Sequence, residues 1–115
     1  MDELLQQLNH VRGIGGSMLL SAEGLPIAAA LREGTDENAL AAAAGVLMES
    51  AARLGRHLSL GGIGSLSTAG DQGALLILAA GKSWLAVIID PSANLALLQL
   101  EARPFVERIS QRLTL

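Results

Sequence analysis

The chain has 115 residues, half of them hydrophobic, with a net charge of −3 and no cysteine. That length suits one domain, residues 1–115, which can bury roughly two-thirds of its unfolded surface without disulfides or a metal. Eight basic residues and only two aromatics, Trp84 and Phe105, give neither the positive field nor the stacking surface of a nucleic-acid binder, so nucleic acid is excluded as an expected partner.

The opening stretch, MDELLQQL, is acidic and amphipathic, without the basic flank and continuous apolar run of an export signal. Together with the missing cysteines this predicts a cytoplasmic protein. Asp2 is placed to cap a first helix that carries Leu4, Leu5, Leu8 and Val11 on one face, and Gly13 to end it in a left-handed conformation. Ser17 to Ser21 and Pro26 to Leu31 read as a β-hairpin closed by Ala22-Glu23-Gly24-Leu25. Pro26 offers no ladder donor, which puts the second strand at a sheet edge.

A long helix is predicted from Thr35, as N-cap, to Leu58. Its stripe Leu40, Ala44, Leu47, Ala51, Leu54 and Leu58 alternates spacings of four and three and suits the protein's own core. About 100° round the helix, Ala41, Gly45, Met48 and Ala52 form a second apolar stripe of mostly small residues. One small sheet cannot cover both. The second stripe calls for another chain, or for a loop or terminal helix of the same chain, because small side chains let a backbone approach closely.

Three further strands follow, Ile63 to Thr68, Gly73 to Ala80 and Trp84 to Asp90. Their short glycine-containing joints predict an antiparallel meander. The last two are nearly continuous in aliphatic residues, as in strands buried on both faces, and Lys82 separates them where a membrane span would have needed continuity. Ser92 is placed to cap a final helix with Leu95, Leu98, Ala102, Phe105, Ile109 and Leu113 on one face, which Pro104 should kink or split.

Motifs with chemical potential are incomplete. Gly81-Lys82-Ser83 looks like the end of a phosphate-binding loop, but position 76 is Leu where that loop needs Gly, and a strand follows instead of a helix. Gly13-Ile14-Gly15-Gly16 and Gly61-Gly62-Ile63-Gly64 precede strands, so neither aims a helix dipole at a pyrophosphate. His10 and His57 lack neighbours at metal-ligand spacing. Ser65 and Ser67 share a strand face without a local base, and Asp71, Asp90 and Glu101 form no acid–base pair in sequence. No catalytic residue, cofactor site or metal site is expected, and an enzyme is the least favoured class.

The segments Val11-Arg12-Gly13-Ile14-Gly15-Gly16-Ser17, Ser21-Ala22-Glu23-Gly24-Leu25-Pro26-Ile27-Ala28, Glu37 to Ala44, and Pro91-Ser92-Ala93-Asn94-Leu95-Ala96-Leu97-Leu98 occur in the order and spacing of one family. By these the chain resembles the Roadblock/LC7 family, in particular its stand-alone bacterial members of the MglB kind. Ala96 departs from the glycine that such members often carry there. The resemblance implies an α+β fold of order αββαβββα: a five-stranded antiparallel sheet with the central helix on one face and the terminal helices on the other. It further implies a homodimer, formed by packing of central helices and edge-to-edge joining of sheets, that serves as a non-catalytic platform for a small Ras-like GTPase. On that resemblance Ala41 and Gly45, with Met48 and Ala52 along the same face, are the expected partner-binding residues. Alternatives are a small-molecule-sensing domain, for which the core offers few polar groups, and a light-chain-like subunit of a larger complex.

Overall fold

The computed structural model describes residues 1–113; the last two positions of the expected domain lie outside the described residues. The elements run α1 (Asp2–Leu8), β1 (Ile14–Leu20), β2 (Pro26–Leu31), α2 (Glu37–His57), β3 (Ser65–Gly70), β4 (Gly73–Ala80), β5 (Ser83–Ile89) and α3 (Leu95–Leu113). This is the predicted α+β order. The strands form one antiparallel sheet in the spatial order β2-β1-β5-β4-β3, with Pro26 on an edge strand as its missing donor requires.

Strand alternation divides the interior in two. Ile14, Leu19, Leu76, Leu85, Val87 and Ile89 face α1 and α3, where Leu4, Leu5, Leu8, Leu98, Ala102 and Ile109 meet them. Met18, Leu20, Ile77 and Ala86 face the other way, towards Leu40 and Ala44 of α2. The long helix thus covers one face alone. α1 is tied to the sheet by polar contacts as well: the buried Ser17 hydroxyl donates to Asn9 Oδ1 at 2.8 Å, and Asn9 Nδ2 donates to the Ala30 carbonyl at 2.8 Å.

Several boundaries differ from those read in the sequence. Asp2 lies inside α1 and caps nothing; Met1 holds the N-cap position. Val11 follows the helix end, and Gly13 immediately precedes β1 at φ +97°, where an added Cβ would meet Ala93. β1 begins at Ile14 and so includes Gly15 and Gly16: Gly16 pairs with Leu31 and Ile88, whereas Gly15 sits at a bulge where the register with β5 shifts. Gly15 also leaves room for an ion pair: a Cβ there would lie 3.1 Å from Asp90 Oδ1 and 3.5 Å from Arg32 Nη1. Those two side chains meet at 3.4 Å across β1.

The caps shift by one or two residues. Asp36, not Thr35, caps α2 by accepting from the Ala39 amide at 3.1 Å. Asn94, not Ser92, accepts from the Leu97 amide at 3.1 Å and starts α3. β3 begins at Ser65, two residues later than predicted, and β5 spans Ser83–Ile89. Pro104 does not split α3. It lies on the exposed side, where water can satisfy the Leu100 carbonyl that loses its donor.

Candidate partner-binding surface

α2 is built to lie close to the sheet. Leu40, Ala44 and Ala51 of the predicted core stripe are buried, and Leu47 is half-buried. Leu54 and Leu58 correct that stripe, being 40% and 61% exposed. The cause is the return of the chain beyond the helix. Gly61 passes so close to the buried Gly55 that an added Cβ would collide with the Gly61 carbonyl, and Ile63 packs beside it. The last helical turns therefore bury Gly55 in place of the leucines. α2 then closes in a Schellman arrangement: Ser59 takes φ +54° and the Leu60 amide donates to the Gly55 carbonyl at 2.9 Å.

The second stripe occupies the flank of α2 that faces the β1–β2 turn. Ala41 and Met48 are half-buried against the sheet cluster. Gly45, Met48 and Ala52 line one wall of a hollow whose other residues include Glu23 and Gly24 of that turn and Trp84 of β5. Nothing lies within 4 Å of where a Cβ on Gly45 would stand, so this position is open to an incoming surface.

The opposite flank was not singled out from the sequence. Ala43, Val46, Ser50 and Leu54 recur at spacings of three and four, and Val46 is 63% exposed. α2 packs chiefly on β3 and β4, at the far side of the sheet from the β1–β2 turn, so this flank looks out over the β3 edge. Among the described residues β3 pairs only with β4, which leaves its other backbone edge open, and it is exposed except at Leu66. Leu58 and Leu60, 61% and 59% exposed, continue the apolar surface beyond the helix. The periodicity of Ala43, Val46 and Leu54 is present in the sequence, but Leu54 fits the inward stripe equally well.

The remaining candidate groups are dispersed. Gly81 and Lys82 form the β4–β5 turn, and Ser83 starts a strand. His10 and His57 are exposed at the ends of different helices, and Ser65 and Ser67 are exposed on β3. Asp90 pairs with Arg32. Among the described residues no group of three or more His, Asp or Glu side chains could hold a metal ion, and no helix is long and apolar enough to cross a membrane.

Residues 1–90 match the sequence profile of the Roadblock/LC7 domain. The chain belongs to the Roadblock/LC7 family. An uncharacterized protein of Methanocaldococcus jannaschii, MJ1340, is 30% identical over 109 residues, covering 95% of this chain and 96% of that protein. The Roadblock/LC7 domain of Streptomyces avermitilis superposes with a TM-score of 0.84 at 22% identity, over 100% of this chain and 98% of that one. Myxococcus xanthus MglB gives 0.81 at 17% identity, over 98% and 94%. At such identities the solved structures establish the roadblock fold, which agrees with the layered arrangement described above.

Proposed function

We propose that this protein is a non-catalytic homodimeric platform that binds a small Ras-like GTPase in the cytoplasm and modulates its nucleotide state or location. The observation that carries the reading is the incomplete covering of α2, which leaves apolar side chains on both flanks, one of them beside the free edge of β3. The Val46 and Leu54 flank and the β3 edge supply what a second copy needs, namely apolar area and a ladder to extend. The flank of Ala41, Gly45, Met48 and Ala52 offers the GTPase a surface of small side chains with few charges to desolvate. The family resemblance supports a homodimer and a GTPase partner, and the division of the two flanks between them rests on the surfaces alone. Catalytic groups for hydrolysis then belong to the GTPase, and the platform acts by repositioning them.

Light scattering at micromolar concentration is expected to give twice the chain mass, and a monomer at high concentration would sink the dimer. Calorimetry against a small Ras-like GTPase of the same organism, loaded in turn with GDP and with a non-hydrolysable GTP analogue, should show tighter binding in one state. Equal affinities would remove the modulating role, since a partner without differential affinity shifts no equilibrium. Gly45→Arg should weaken that binding at least about tenfold, which is 1.4 kcal/mol, while helicity is kept. The added side chain meets open space, and replacing a helical glycine favours the helix by up to about 1 kcal/mol.

A further inference from the structure

The composition of the hollow beside α2 narrows what can fill it. It encloses about 600 Å³, within the range of about 300–1,000 Å³ over which protein sites take side chains and small ligands. Its walls are largely glycine and alanine, so backbone stands close to the space, and its large apolar surfaces are the half-buried Trp84, Met48 and Ile63. The Trp84 indole N–H makes no hydrogen bond to any of the described residues. The charged groups lining the hollow are both acidic, Glu23 from the β1–β2 turn and Glu49 from α2. Among the described residues Glu23 has no ion-pair partner, and Glu49 meets Arg53 at 2.8 Å.

The geometry points to an arginine-bearing loop of the partner protein as the occupant, its guanidinium laid against Trp84 and held by Glu23 and Glu49. A guanidinium is planar, weakly hydrated, stacks on indole and forks onto carboxylates, whereas the compact lysine ammonium keeps its water more strongly. Phosphate and carboxylate groups are repelled by the two glutamates. A backbone carbonyl of the same loop takes the orphan indole N–H. The inference rests on the reading of this chain as a platform for a protein, and it names the chemistry the partner brings to the groove.

Trp84 is the sole tryptophan, so its emission reports on this groove directly. The probe is the blocked peptide acetyl-Gly-Arg-Gly-amide, with the citrulline peptide as a control of equal shape and no charge. The arginine peptide should change the emission saturably and the citrulline peptide should not. Glu23→Gln, on an exposed turn, should weaken the arginine peptide about tenfold, the effect of losing one charge-assisted hydrogen bond. Equal titration by both peptides, no titration by either, or unchanged binding to Glu23→Gln would each overturn the assignment. A calorimetric arm with the GTPase separates this from the wider reading. GTPase binding that ignores Glu23→Gln removes the groove and leaves the platform; peptide binding with no GTPase binding keeps the groove and removes the platform.

Discussion

The two faces of the sheet are finished to different degrees. On one, α1 and α3 close over thirteen buried residues among those described, including Leu5, Leu8, Leu19, Leu85 and Ile109, with Leu78 and Phe105 among the partly buried residues at the margin. On the other, α2 alone closes over six, and the partly buried residues around them, Leu47, Met48, Leu66, Leu75, Trp84 and Ile88 among them, outnumber the buried ones. Elementary dimensions account for the difference. Five strands at about 4.8 Å spacing span about 19 Å, whereas one helix with its side chains is about 10–12 Å across. A single helix therefore leaves a strip of sheet on either side. Stability is concentrated on the two-helix face, and the surface available to partners on the one-helix face.

If this division holds, the largest effect is expected directly beneath α2. Ala44 is fully buried there, and Ala44→Arg places an unpaired guanidinium against the sheet, costing about 3–5 kcal/mol and the fold itself at ordinary temperature. A thermal melt close to the parent's would mean that α2 rides loosely enough for the charge to escape. Next comes a matched pair of truncations, read by urea unfolding. Leu85→Ala, on the two-helix face, should cost about 2–5 kcal/mol through lost burial and an unfilled cavity. Met48→Ala, half-buried on the one-helix face, should cost about 1 kcal/mol, near the centre of the range for single substitutions. Equal losses would erase the distinction between the faces. The smallest effect belongs to the outer surface of α2, where Arg53 and Glu49 pair at 2.8 Å with both side chains more than 60% exposed. Arg53→Ala should shift stability by no more than about 0.5 kcal/mol, and less in high salt.

Much of this was legible because burial and periodicity coincide. Pro26–Leu31 and Gly73–Ala80 have the bounds that their composition predicts, and Leu40, Ala44 and Ala51 point inward as their spacing requires. What escaped the sequence was decided by non-local contacts. Thr35 and Asp36 are equally good caps on paper, and only the approach of the chain determines whose oxygen reaches the Ala39 amide. Glycines 15 and 16 fit a turn or a bulge on paper, and the pairing of Gly16 with Leu31 and Ile88 makes the run a strand with its bulge at Gly15. Leu54 fits the core stripe, yet the Gly55–Gly61 contact claims that part of the helix for the returning chain. For the candidate surface, the small-residue stripe was visible in the helical period. The groove it forms with Trp84 and the β1–β2 turn was not, because those residues meet only through the sheet order.

The two edges of the sheet bear on how far an assembly of such sheets could grow. At the β2 edge the strand opens with Pro26, which lacks an amide hydrogen, whereas β3 contains no proline. A sheet that could be joined at both ends would add copies indefinitely, as fibres do. One that can be joined at a single end stops as soon as two such ends have met. In the proposed dimer, joining through the β3 edge alone would therefore close at two copies.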